Sequence, residues 1–276
     1  MKRRNFSTYL ILLTMAVLSS GFGEKTTSSK IKEENISYTV GGTVYKGFIA
    51  YDENAKGKRP AVLVVHEWWG LTDYPKMRAR ELAKLGYIAF AVDMFGNGKM
   101  ATNPTEAQAY TTAFYKDPQL SKKLMDVALS KVKEYKQTDP SNVFAIGYCF
   151  GGSVVLNYAK LGGDVKGVVS FHGGLNGVPA VKGLLKAHIL VCQGGSDNFV
   201  PVADQDLFKY QLDSIGATYS FITYPGAKHA FSNPAATELG KKFNMPIEYN
   251  KSADLNSWND MKKFFHSILL KERFRN

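Results

Sequence analysis

Short continuous apolar runs recur along the chain at residues 61–65, 88–92, 143–146, 165–171, 188–191 and 219–223, and helix-length segments separate them. Strands written this way are buried on both faces, which happens when crossover helices cover a parallel sheet. Helical periodicity occupies 74–85, 104–115, 120–135, 151–159, 202–215 and a closing segment near 253–270. The pairs Asp117-Pro118 and Asp139-Pro140 punctuate the two longest connections. Ahead of this alternation, residues 36–40 and 43–51 flank Gly41-Gly42 in the pattern of an antiparallel hairpin. The expected fold class is therefore α/β, a mostly parallel sheet with an N-terminal antiparallel hairpin and helices on both faces. No composition break interrupts residues 36–272, so one domain is expected over 36–276, after a polar linker at 24–35.

Residues 1–23 read differently. Lys2, Arg3 and Arg4 precede an apolar run at 10–18, followed by small residues at Ser19, Ser20, Gly21 and Gly23. That is the order of a secretory signal peptide, and the run is shorter than the roughly 20 residues that span a bilayer. Export to the periplasm or beyond is the expectation, with no membrane span in the mature protein. Removing the three cations lowers the formal charge from +11 to +8. The remaining lysines are scattered singly or in pairs, without a basic stripe interleaved with aromatics, so nucleic acid is not an expected partner.

In an open sheet of this kind ligands collect at the carboxyl ends of the strands. The sequence Gly147-Tyr148-Cys149-Phe150-Gly151-Gly152 lies there, directly after one apolar run and directly before a helix. It has the form of a nucleophile elbow with Cys in place of Ser. Small residues two before and two after the nucleophile are needed because strand and helix approach so closely at the turn. The thiol then sits at a helix N-terminus, where the macrodipole favours a thiolate.

A thiol nucleophile needs a base, and on this scaffold the partners follow in the order nucleophile, acid, His. Of the histidines after Cys149, His188 begins a strand and His266 falls in the last helix. His172 ends the run at 165–171 and is a candidate lining residue. His229 follows the run at 219–223, in the loop where the base belongs. Asp197 follows the preceding run, in Gly194-Gly195-Ser196-Asp197, whereas Asp204 and Asp206 fall inside a helix. Its role would be to fix the imidazole tautomer and stabilise the imidazolium.

The first long strand ends in His66-Glu67-Trp68-Trp69-Gly70. A zinc helix is excluded because position 70 is Gly where a second His would be required. This is where the architecture supplies a second oxyanion donor, so the Trp68 N–H is expected to join the Phe150 N–H. Glu67 is either a carboxylate aimed into the site or a surface acid. Trp69, Tyr148, His172 and Phe231 are expected around the substrate.

Taken together, the segments GYCFGG, HEWWG, GGSDNFVP and GAKHAFSNP resemble the dienelactone hydrolase family of α/β-hydrolases, over about residues 36–272. The resemblance implies a hydrolase with an α/β-hydrolase fold, with Cys149, Asp197 and His229 as its triad. It also implies that Glu67 contacts the resting thiol and moves when substrate binds, taking the thiol proton. Family members acting on dienelactone grip its carboxylate with arginines after the second long strand and just past the catalytic His. Here those stretches read Asp93-Met94-Phe95-Gly96-Asn97 and Phe231-Ser232-Asn233-Pro234, without Arg.

The nucleophile narrows the substrate. A tetrahedral adduct on sulfur expels the better leaving group, and a thiolate leaves more readily than an amine, so amides are disfavoured, whereas aryl esters, thioesters and enol lactones suit the nucleophile. The expected activity is cleavage of a small activated ester or lactone through an acyl-Cys149 intermediate, with no metal or organic cofactor. The alternative is a catalytically silent binding module with a pocket for an aromatic ligand. A thiol redox protein would need a resolving cysteine, and there is no C-x-x-C pair. Cys149 and Cys192 are expected to be free thiols.

Overall fold

The computed structural model describes residues 29–274. The expected signal at 1–23 lies outside them. The linker expectation needs correcting, because strand β1 (Ile31–Val40) already begins inside it. Residues 31–35 are mostly polar and carry no apolar pattern. They are strand because their backbone pairs with β2 (Thr43–Asp52) through to Ile31↔Asp52. Side-chain contacts add to this pairing, as the Tyr51 hydroxyl donates to Glu34 Oε1 at 2.7 Å.

One eight-stranded sheet organises the chain, in the order β1-β2-β4-β3-β5-β6-β7-β8. The remaining strands are β3 (Arg59–Val65), β4 (Ile88–Val92), β5 (Thr138–Tyr148), β6 (Gly167–Phe171), β7 (His188–Gly194) and β8 (Tyr219–Tyr224). β1, β2 and β4 pair antiparallel, and β4, β3, β5, β6, β7 and β8 run parallel. This is the mixed sheet expected from the sequence. β5 starts at Thr138, ahead of the apolar run, and its register with β3 shifts between Arg59 and Ala61.

Side chains alternate across each strand and separate two cores. Ala61, Leu63 and Val65 pack with α3 (Pro118–Lys133), α4 (Phe150–Lys160) and α5 (Val202–Ser214). Val62 and Val64 face α1 (Asp73–Lys84) and α7 (Lys251–Arg273). Helix starts follow their caps. Asn103 accepts from Glu106 N at 3.0 Å ahead of Pro104 in α2 (Pro104–Lys116), and Asp117 accepts from Gln119 N at 3.0 Å ahead of Pro118 in α3. A short helix α6 (Ala236–Phe243), absent from the sequence reading, precedes the loop leading to α7. Among the described residues no helix is long and apolar enough to cross a membrane.

Candidate active site

Cys149 caps α4 with φ 53° and ψ −114°, a conformation that L-residues rarely adopt. The surrounding backbone imposes it. A Cβ on Gly147 would stand 2.0 Å from Gly151 O, and one on Gly151 would stand 2.3 Å from Val65 O. The turn closes only because both residues lack a side chain. The Cys149 N–H is shared between Phe171 O at 3.0 Å and His172 Nδ1 at 3.2 Å.

His172 therefore lies beneath the turn rather than in the site, which corrects the lining role expected for it. Its Nδ1 accepts, so Nε2 carries the proton toward Ser232 Oγ at 2.7 Å. Burial holds its pKa well below the usual histidine value, consistent with a neutral ring. Tyr148 and Phe231 are also not in the cavity. Tyr148 directly precedes Cys149 on the strand, so alternation sends its ring to the opposite face, stacked on Phe171 at 4.8 Å. Phe231 is fully buried against His172 and Tyr224. Trp69, by contrast, lines the cavity as expected.

The residues expected as base and acid follow the two strands that the sequence indicated, β8 and β7. Asp197 follows β7, and its Oδ1 accepts from Phe199 N at 2.9 Å. Oδ2 accepts from Gln193 Nε2 and from His229 Nδ1, both at 2.9 Å. With Nδ1 donating to Asp197, the other ring nitrogen of His229 is left for the sulfur of Cys149. Burial opposes a charge on His229. The Cys149 sulfur and the Asp197 carboxylate outweigh that cost and raise the ring to about 10. Behind His229, residue Ile247 bridges to its backbone, and Lys228 pairs with Glu248 at 2.7 Å. The segment between α6 and α7 is thus tied to the His229 loop.

His66 fixes the opposite wall. Its Nε2 accepts from Met94 N at 3.2 Å, so Nδ1 donates to Glu67 O at 2.5 Å. Burial pushes this ring down to about 4. Glu67 is itself buried, and burial raises its carboxyl to about 7 against the opposing pull of Asn233, His229 and Arg78. Its hydrogen bond comes from Asn233 Nδ2 at 2.6 Å. Among the described residues no hydrogen bond joins Glu67 to Cys149, in contrast to the resting contact that the resemblance implies.

Glu67, Cys149 and His229 open together on a cavity of about 430 Å³. Its apolar wall includes Trp68, Trp69, Phe199, Val200 and Ile247. Helix α2 supplies Gln108, Thr111 and Tyr115, spaced to share one helix face. The ring of Tyr115 is largely exposed, and its hydroxyl lies near Ser153 and Cys149. Burial of that hydroxyl, then the nearby Cys149 sulfur, raises its pKa. Sequence reasoning passed over α2 because its apolar pattern marks only the face toward the core. No lysine or arginine lines the cavity among the described residues. Lys228 is paired as above, and Lys99 rests over the Tyr110 ring at 5.7 Å. No cluster of potential metal ligands occurs among the described residues.

Comparison with known proteins places the dienelactone hydrolase family on residues 45–269. A protein of Methylorubrum extorquens named "Putative carboxymethylenebutenolidase" is 33% identical over 187 residues, which cover 63% of this chain and 64% of that protein. Protein usf of Aquifex pyrophilus is 26% identical, covering 85% of this chain and 98% of its own length. Among solved structures, the dienelactone hydrolase-like promiscuous phosphotriesterase P91 from metagenomic libraries superposes with a TM-score of 0.80 at 29% identity. The match covers 86% of this chain and 98% of that one.

Proposed function

This chain belongs to the dienelactone hydrolase family, and from that premise we propose that it cleaves a small activated ester or lactone through an acyl-Cys149 intermediate, with Cys149, His229 and Asp197 as the triad. The family, together with the name of its Methylorubrum relative, makes it a carboxylic ester or lactone hydrolase. The observation that carries the finer reading is the His229 ring. It bonds Asp197 at 2.9 Å on one side and contacts the sulfur of Cys149 on the other, at the mouth of an apolar cavity.

The Cys149 thiolate attacks the carbonyl carbon, and the carbonyl π pair moves onto oxygen. The Phe150 amide is the first of α4, for which the helix itself supplies no acceptor. With the Trp68 amide it would hold the oxyanion. Collapse expels the alkoxide, phenoxide or enolate, which takes the proton held by His229. Water then attacks the thioester, His229 removes its proton, and the thiolate leaves. Asp197 keeps the imidazole oriented throughout.

A cavity without a lysine or arginine favours neutral substrates over carboxylates, because nothing there reproduces a bidentate clamp. Mixing the protein with p-nitrophenyl acetate should release a burst of nitrophenol close to one equivalent of enzyme, followed by slower turnover. Neither phase should survive in Cys149→Ala. A protein that binds the ester but gives no burst and no turnover would be the silent binding module instead. Export through residues 1–23 belongs to the same reading, supported by their basic-then-apolar order. N-terminal mass analysis of the protein from its native host should find the leader removed, and an intact Met1 would contradict it.

A further inference from the structure

His172 lies outside the cavity, yet its two ring nitrogens join the two segments whose separation the proposed chemistry depends on. Nδ1 accepts from Cys149 N at 3.2 Å, on the turn that carries the nucleophile. Nε2 donates to Ser232 Oγ at 2.7 Å, on the loop that carries His229. His172 and Ser232 are both buried, so water offers neither a replacement partner. The other acceptor of the Cys149 amide, Phe171 O at 3.0 Å, belongs to β6 and fastens the turn to the sheet, not to the base loop.

The backbone at this junction adopts conformations that side chains disfavour. Cys149, His172 and Ala230 have φ of 53°, 42° and 60°. Strain of this kind persists only where surrounding contacts over-determine it. Ala230 directly follows His229, and Asn233 N donates to Ala230 O at 2.9 Å, so Ser232 sits in a turn that begins one residue after the base. The far side of Ser232 is anchored as well. Its carbonyl accepts from Arg78 Nη2 at 2.8 Å, and its hydroxyl shares a hydrogen bond with that of Tyr74 at 2.8 Å. Arg78 pairs in turn with Asp254 of α7.

We propose that His172 is a positioning residue which, through Ser232, fixes the Cys149 turn against the His229 loop and thereby sets the rates of acylation and deacylation. The inference rests on the triad reading above and adds no group to the reaction itself. Neither His172 nor Ser232 lines the cavity, so the link governs the chemical steps and not substrate binding.

Half-replacements dissect the link. Asn at position 172 keeps an acceptor near the place of Nδ1 and tolerates positive φ, but is too short to reach Ser232. Gln keeps a donor near the place of Nε2 and gives up the acceptor for Cys149 N. Ser232→Ala cuts the same link from its other end. The parent, these three variants and the double variant His172→Asn/Ser232→Ala should be compared with p-nitrophenyl acetate in stopped-flow mixing. That measurement separates the acylation and deacylation rate constants from the substrate dissociation constant. Circular dichroism and urea unfolding give the folded fraction. Ser232→Ala, the smallest change, decides the matter if a variant at position 172 does not fold.

Each single variant should lose roughly 10- to 100-fold in both rate constants, the range that an ångström-scale misplacement costs, with the dissociation constant within about twofold of the parent. The double variant should lose no more than the larger single loss, because a link already cut cannot be cut again. A merely structural role would lower stability and leave the rates per folded molecule parent-like, and that result would overturn the assignment. Parent-like rates in either half-replacement, or losses that multiply in the double variant, would overturn it too. A parent showing neither burst nor turnover would remove the triad reading, and the link with it, which is a distinct failure.

Discussion

The two cysteines lie two strands apart and have opposite fates. Tyr148, Phe171 and Cys192 form one row across β5, β6 and β7. That places Cys192 about 10 Å from the level of Cys149 at ordinary strand spacing, beyond disulfide reach, and both are free thiols. Cys192 points from the middle of a strand into the core. Burial pushes its thiol up to about 12, with the Tyr224 hydroxyl 3.5 Å from the sulfur. Cys149 stands on a strained turn at a helix N-terminus, opens on a cavity and contacts a histidine. The residue type is the same in both places. What differs is backbone placement: within the sheet the thiol is a small hydrophobe, and at the strand's carboxyl end it opens on a cavity shared with a histidine.

Substitution should break the contrast most sharply at Cys149. Cys149→Ala should lower turnover of an aryl ester by roughly 10⁴-fold or more, as loss of a nucleophile does elsewhere. Asp197→Asn should follow at roughly 10³- to 10⁴-fold, because the amide favours the wrong imidazole tautomer while the fold is kept. Steady-state kinetics with circular dichroism as control would read both, and parent-like turnover in either would dissolve the distinction between the cysteines.

The cavity beside Cys149 also has a stability cost that the core around Cys192 lacks. Glu67 is raised from 4.5 to about 7 on folding, so ionising it costs more in the folded state. This penalty is absent below about pH 4.5, grows as pH rises and is complete above about pH 7, at roughly 3 kcal/mol. Glu67→Gln should remove that loss, and urea unfolding of parent and variant at pH 5 and at pH 8 measures it. An unchanged pH dependence would mean that the carboxyl is not desolvated. The smallest effect belongs to Cys192→Ala, which should cost about 1 to 2 kcal/mol and leave turnover within a few-fold.

Much of this was legible because it is local. The apolar runs and helical periods place the principal strands and helices to within a few residues, apart from the early starts of β1 and β5. The order of Cys149, Asp197 and His229 along the chain places the three groups after the carboxyl ends of β5, β7 and β8. Tyr148 was misread although the rule was available, since side chains adjacent on a strand face opposite ways. Two elements escaped for lack of pattern: the start of β1 is held by backbone pairing rather than by apolar alternation, and α6 is only eight residues long. Asn233 escaped for another reason. Its partner Glu67 is 166 residues away, and no local spacing encodes that meeting.

The most direct measurement is the location of the acyl group. After brief incubation with p-nitrophenyl acetate and an acid quench, peptide mass analysis should find one acetyl group on the peptide containing Cys149 and none on the peptide containing Cys192. His229→Ala should form the adduct more slowly and also release it more slowly, because the same imidazole activates the attacking water. An unmodified Cys149 in a protein that still turns over the ester, or acetyl found equally on Cys192, would contradict the account.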